Sequence, residues 1–542
     1  MSLYEDKLAG YRFKGGTAPT SEQTWVWDNT NKYFKPGTPL NLGVTYATAY
    51  GVTADGTTDD TAALQAAIDA APTNGTVVLP RGTILYTTIA INKGLTLRGQ
   101  GYPSTFLKQT ANGDGVTVNV GGGAQISNVL IEDILLGASA DRTSGAALRL
   151  GYVGFCHVNN VRITNALGGK PFEGLRIDRA SDCHFSKLIV QGCASNGAVI
   201  QPGSSTSVIV EIYFDSECMF RSCEANGMYV LMDQVYSNGV CSVEGGHVAA
   251  TFYNNTLAGV RMHATIAGAE IVNWHFNGAT FDSNQGTSNT AGSADGGLVA
   301  DASFNSTAFI RRLHICLAGA WSSNNGNAGL YLSKVRDFTI CCGSVHINDK
   351  IGIDLQTCVF GTVTTHINDN SNAADNTSYG LQIGGSSADI AVASDFDNTD
   401  SSANDQRGVN IGSSATDLDF SLSTFRNQDV ATVPKINGGN GASNVRLVMP
   451  PGVITAVQTA NYQCDAGLTS PDAVIRMDTT AAGLTATLPR AANYPSRRIT
   501  VKRSAGANTV TIAATAGTVE TTSCTTTPVT HQSDGTNWID VS

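Results

Sequence analysis

The chain has 542 residues, of which 58 are glycine and only 14% are charged, and its formal net charge is −11. Such a length holds several domains or one long repeat array, and an acidic chain without a basic stripe argues against a nucleic-acid partner. No apolar run approaches the roughly eighteen residues of a membrane span, and no charged-then-apolar leader opens the chain, so neither membrane insertion nor a cleaved signal is expected.

Residues 4–43 do not read as repeat. Trp25-Val26-Trp27 and Tyr33-Phe34 precede Lys35-Pro36-Gly37-Thr38-Pro39, which suggests an extended arm with an aromatic anchor. Such an arm either packs on the first coils of a repeat or forms a neck that joins a longer protein or another subunit. Met1-Ser2-Leu3 suits an artificial start, which leaves room for a preceding N-terminal domain. The twelve cysteines show no metal-like spacing; most sit beside apolar residues and read as small core residues of a protein folded in a reducing compartment.

From Ala49 to Gly101 the order is distinctive. Thr58 or Asp59 is placed to cap a helix, and the Ala-rich stretch to Ala71 carries Leu64 and Ile68 on one face, until Pro72 and Gly75 end it. Extended pieces come next at Thr76–Leu79, Ile84–Ile91 and Leu95–Leu97, separated by Pro and Gly turns. A short amphipathic helix before closely spaced strands is what covers the open end of a solenoid. Tyr50-Gly51-Val52, Asp55-Gly56-Thr57, Asp59-Asp60-Thr61, Gly75-Thr76-Val77-Val78-Leu79-Pro80 and Leu97-Arg98-Gly99-Gln100-Gly101 together resemble the N-terminal cap of the pectate-lyase-like right-handed β-helix superfamily. The resemblance implies a fold, and it leaves Asp55, Asp59 and Asp60 as cap builders rather than catalysts.

From Ala147 a small–apolar–any–apolar repeat runs ten times, from Ala147-Leu148-Arg149-Leu150 through Gly227-Met228-Tyr229-Val230 to Gly408-Val409-Asn410-Ile411, with starts 23 to 38 residues apart. Alternation sends the flanking side chains into a core and the middle one outward, and a period of this size marks a solenoid. The expected fold is all-β: a right-handed parallel β-helix over 46–430, capped at 46–101 and preceded by the arm at 1–45. Its coils are expected from Leu95 to Phe425, with a helix at Asp59–Ala71. At 445–542 the runs Leu484–Pro489, Arg498–Arg503 and Asn537-Trp538-Ile539 predict a small antiparallel β domain for trimerisation or carbohydrate contact, similar to the C-terminal modules of phage tail fibres and tailspikes.

The longest loops fall between Gly227 and Gly329, so a groove is expected there. Tyr213-Phe214-Asp215-Ser216-Glu217 predicts Asp215 and Glu217 on one strand face. Aligning coils on Phe220, Phe252, Phe281 and Trp321 predicts Asp215 and His247 in one column, with Glu244, Trp274, His275 and Asp282 nearby. The expected acid–base set is Asp215, Glu217, Glu244 and Asp282. The expected sugar contacts are His247, Tyr253, Trp274, His275 and Arg221, with no metal and no cofactor. Paired carboxylates suit glycoside hydrolysis. The rival expectations are a lyase on a uronic-acid polymer, with Arg221 or Arg261 as carboxylate partner, and a non-catalytic adhesin. Asp295 and Asp301 lie in a Gly/Ser/Asn-rich insertion within reach of such a groove. The marks of the polygalacturonase-like enzymes do not assemble: Asn398-Thr399-Asp400 is present, but Asp405 precedes Gln406, and Gly245-Gly246-His247 is misordered and upstream.

The resemblance as a whole implies a homotrimeric phage tailspike that binds and depolymerises a bacterial surface polysaccharide. It would belong to the virion tail, attached to tail or baseplate through its missing N-terminal region.

Overall fold

The computed structural model describes residues 43–285 apart from 122, and 296–426 apart from 303–306, 318–320, 324, 369, 371–378, 398–406 and 421–422. Outside these it describes the strands at 7–8, 11–12, 24–28 and 33–37, and separate stretches between 436 and 542. Asp295, Asn398-Thr399-Asp400 and Asp405-Gln406 lie outside the described residues.

Three parallel sheets wind around one continuous apolar core. Sheet A contains the ten-fold repeat: Leu148, Leu175, Ala198, Met228, Val260, Leu298, Leu330, Ile353, Leu381 and Val409 stack in register, one per coil. Sheet B includes Val208–Phe214, Ser242–Val248, Glu270–Asn277 and Phe309–Cys316; sheet C includes Met219–Arg221, Thr251–Tyr253 and Thr280–Asp282. Each successive triplet is one turn of a right-handed parallel β-helix. The stack begins earlier than Leu95 and runs past Phe425, because Val44–Tyr46 pairs with Gly75–Val78 and Ser443–Arg446 with Thr416–Asp419.

The cap helix spans Thr61–Ala70 and buries Leu64, Ala67 and Ile68 against the first coils. The N-cap position is Asp60 rather than Thr58 or Asp59, and its side chain does not cap; Asp59, one residue earlier, accepts the Thr61 N–H at 3.0 Å. Asp60 instead turns back and holds the N–H groups of Thr53 and Ala54. In the arm, the strands form antiparallel pairs rather than one extended segment: Lys7–Leu8 with Tyr11–Arg12, and Thr24–Asp28 with Tyr33–Gly37. The C-terminal module has its own small core around Trp538 and Val501. Its two four-stranded sheets combine antiparallel pairs such as Arg498–Ala505 with Val529–Ser533 and parallel ones such as Leu484–Leu488 with Val510–Ala514.

An asparagine ladder runs through the turn from sheet C to sheet A. Asn255, Asn284, Asn325, Asn348 and Asn370 are all buried. Each of the first four donates from Nδ2 to the Oδ1 of the next, at 2.8–3.1 Å. The same amides donate to backbone carbonyls of the preceding coil, as Asn284 does to Phe252 at 3.1 Å. The ladder explains the glycine that opens the repeats from Gly227 to Gly352. A Cβ on Gly259 would meet the Asn284 amide at 2.8 Å and the Gly297 carbonyl at 2.7 Å.

The middle column of sheet A is less exposed than an open sheet face would be. Val199, Val299 and Asp354 are buried, while Arg149 bridges Asp114 and Asp178 across coils. Burial pushes the Asp354 carboxyl up to about 6, against hydrogen bonds from Gln356 and Gln382. A carboxyl pKa raised on folding favours the protonated native state, so its penalty is absent below the unfolded pKa near 4 and grows as pH rises to about 6. Asp354→Asn is therefore expected to stabilise the fold at pH 7, by an amount on the order of 2–3 kcal/mol. Unfolding measured at pH 3.5 and pH 7 checks this, because the gain should vanish at the lower pH.

Candidate active site on sheet B

Every strand of sheet B is interrupted by a left-handed residue at the same level: Asp182, Glu211, Gly245, Asn273 and Arg312 all have φ between 52° and 71°. The bend shifts the in–out alternation by one position. Ile209 and Ile212 are both buried, as are Val243 and Gly246, and Ile271 and Trp274. Two residues beyond the bend, a ring points outward on each coil, flanked by core residues. His157, His184, Tyr213, His247, His275 and His314 stack in this column with centroids 4.3–5.7 Å apart. Five of the chain's nine histidines thus share one face.

Glu211, held at the bend, ties two coils of this column together. Its carboxylate accepts the Tyr213 hydroxyl at 2.5 Å and lies 3.4 Å from His247 Nε2. The first contact pushes the Tyr213 phenol up to about 12, with burial adding to it, so the phenol stays protonated and donates. Burial and neighbouring imidazoles lower the pKa of His184 and His275 below the ordinary histidine value, which favours the neutral form of these two rings. Glu244 accepts the hydroxyl of Tyr236 at 3.3 Å from the 233–241 loop. That loop joins the next wall loop through the Tyr236 N–H and the Gly268 carbonyl. Beside the rings opens a cavity of about 230 Å³ lined by His184, Tyr213, Asp215, His247 and Asn277.

The structure brings together only part of the expected site. Glu244, His247 and His275 face the sheet B groove, and Asp215 lies at its rim. Asp215 and Glu217 do not share a strand face, because the strand ends at Phe214 and both lie in the turn to sheet C. There Asp215 accepts the Glu217 N–H at 3.0 Å, while Glu217 is exposed and 3.7 Å from Lys187. His247 pairs in register with Tyr213, not with Asp215, since the turn after Phe214 is longer than the one after Val248. Arg221, Tyr253 and Asp282 form a separate column on sheet C. Arg221 there donates to Gln191. In the next coil Phe281 pairs with Ser322 rather than Trp321. Asp301 lies buried on sheet A, opposite His263.

Trp274 stands corrected most sharply. It is buried in the core, where it cannot stack on a sugar, because the bend at Asn273 turns it inward. Glycines 245 and 246 serve the two faces of this coil. A Cβ on Gly246 would meet the Trp274 ring at 2.2 Å, and one on Gly245 would meet Glu211 Oε1 at 2.8 Å. Gly246→Ala is accordingly expected to destabilise the fold by roughly 1–3 kcal/mol through overpacking. Gly245→Ala, which also strains a φ of 71°, is expected to perturb the groove as well. Thermal unfolding together with tryptophan fluorescence checks the first change.

Glu211, Tyr213, Tyr236 and the remaining column histidines were not among the expected site residues. A signal for the column does exist in the sequence: apolar–ring–apolar triplets such as Cys183-His184-Phe185, Ile212-Tyr213-Phe214 and Leu313-His314-Ile315. Most cysteines are buried core residues as expected, but Cys316 and Cys341 are half-buried and Cys342 is exposed.

Residues 45–238 match the family described as rhamnogalacturonase A/epimerase, pectate lyase-like. No curated protein matches the chain in sequence. Among solved structures the chain is similar to the A-module of the Azotobacter vinelandii mannuronan C-5 epimerase AlgE4, with 16% identity over 72% of this chain and 98% of that one, and a TM-score of 0.46. It is also similar to the pre-mature bacteriophage phi29 gene product 12, with 11% identity over 88% and 67% of the two chains and a TM-score of 0.48. Tailspike protein 3 of bacteriophage CBA120 aligns at 11% identity over 76% and 65%, with a TM-score of 0.46. No helix among the described residues is long and apolar enough to cross a membrane. Residues 45–238 are thus similar to that pectate-lyase-like family, and with three parallel sheets continuing in register beyond them the chain is a right-handed parallel β-helix protein.

Proposed function

We propose that the chain is a phage tailspike that depolymerises a bacterial surface polysaccharide by hydrolysis, in the groove over sheet B. The observation that carries the reading is the Glu211–Tyr213–His247 row, which places a carboxylate, a phenol and an imidazole in contact beside an open cavity. The Tyr213 hydroxyl holds Glu211 in place beside the His247 ring, a position that suits a nucleophile or base. Glu244 on the next coil, bonded by Tyr236, is the second carboxylate. In glycoside hydrolysis one of two such carboxyl groups serves as general acid and the other as nucleophile or base.

Charge favours hydrolysis over uronate elimination. Asp182, Glu211, Asp215, Glu244 and Glu270 lie along this face and outnumber Arg311, Arg312 and Lys187, of which Arg311 and Lys187 are engaged with Glu270 and Glu217. Such a face repels a polyuronate and accepts a neutral polymer. Incubation with a panel of bacterial polysaccharides tests the reading. New reducing ends without ultraviolet-absorbing unsaturated products are expected. Unsaturated products would establish a lyase instead, and binding without fragments an adhesin.

The tailspike reading, drawn from the cap resemblance and the C-terminal β module, includes a homotrimer attached to the phage tail. Light scattering at micromolar concentration is expected to give three times the chain mass; a monomer mass would overturn this part.

A further inference from the structure

We infer that His314, Cys316 and Cys341 form a site for a soft divalent cation of the zinc type. His314 and Cys316 lie two apart on Phe309–Cys316, beyond the bend, and both point outward. Cys341 belongs to the next coil and pairs in register with Cys316. One ligand atom from each residue, the imidazole nitrogen and the two sulfurs, lies within 4.8 Å of the others, and Cys341 Sγ stands 4.0 Å from His314 Nε2. In a tetrahedral site with bonds of about 2.3 Å to sulfur and about 2.1 Å to nitrogen, ligand atoms stand roughly 3.5–3.8 Å apart. Rotation of half-buried side chains by under about 1 Å closes that gap without moving the backbone.

The donor set defines the ligand. Thiolates and imidazole select zinc and its spectroscopic substitutes cobalt and cadmium, whereas calcium and magnesium require oxygen ligands. Binding displaces one proton from each thiol into solvent, and water completes the coordination. The place in the fold suggests the consequence. Directly after Cys341 the register of this strand breaks, with Cys342 and Gly343 both at positive φ. An ion held by two successive coils pins the solenoid where its own ladder is interrupted, and the bound metal adds its binding free energy to folding.

The experiment uses the reduced, metal-free full chain titrated with Co²⁺. One equivalent per chain is expected, with a thiolate-to-cobalt charge-transfer band, release of up to two protons from the thiols, and a rise in unfolding temperature when Zn²⁺ replaces Co²⁺. Cys316→Ser and Cys341→Ser should abolish the band, and His314→Gln should weaken binding by more than about tenfold, as even outer-shell changes do at metal sites. Cys342→Ser, which alters the exposed neighbouring thiol, should leave it intact. Absence of the band in the unsubstituted chain, its survival in the Cys316→Ser/Cys341→Ser double variant, or its loss on Cys342→Ser alone would overturn the inference. Activity is not needed as a readout, so failure here is separable from failure of the polysaccharide reading.

Discussion

Glu211→Gln is expected to slow depolymerisation by roughly 10²–10⁴-fold while leaving polysaccharide binding measurable, because acid–base and nucleophilic groups contribute at that scale. The substitution keeps an oxygen to accept the Tyr213 hydroxyl and removes only the charge, so the coil should fold normally. Glu244→Gln is expected to behave alike, since its carboxylate is bonded by Tyr236 in the same groove. Tyr213→Phe removes the hydroxyl that now holds Glu211 at 2.5 Å and should give a smaller loss. Initial rates of reducing-end release, with unfolding temperature as the folding control, decide the matter. If Glu211→Gln and Glu244→Gln each stay within tenfold of the unsubstituted rate, cleavage does not occur over sheet B. The sheet C column of Arg221, Tyr253 and Asp282 would then be the next place to test.

Asn284→Ala is expected to be the most damaging small substitution in the solenoid. It removes the amide that donates to the Phe252 carbonyl and to Asn325, and the oxygen that accepts both N–H groups of Asn255. A buried group left unsatisfied costs about 1–3 kcal/mol, so a loss of roughly 2–5 kcal/mol is expected. Asn255→Cys should cost less. The coil before Asn255 already places Cys223 in this turn, and only the Cys223 N–H depends on the Asn255 oxygen. Denaturant unfolding of the two variants measures the difference, and equal losses would mean that the ladder is not cooperative.

How much of this protein is legible in its sequence depends on the range of the interactions involved. The cap helix, the ten-fold repeat and the register of sheet A are readable because helix capping and strand alternation are local, and because a repeating coil copies one pattern many times. The inward side chains of that repeat are the core. Sheet B reads poorly for an equally specific reason. A single left-handed residue per strand reverses which side chains face out, and nothing in Val272-Asn273-Trp274 shows that Asn273 adopts it until neighbouring coils stack their bends above and below. Trp274 therefore goes inward and His275 outward. Turn length acts likewise: two additional residues after Phe214 shift Asp215 out of register with His247. Glu211 and His247 are thirty-six positions apart in sequence, and Cys316 and Cys341 twenty-five. Only the winding of the chain, which places each coil directly on the last, makes either pair neighbours.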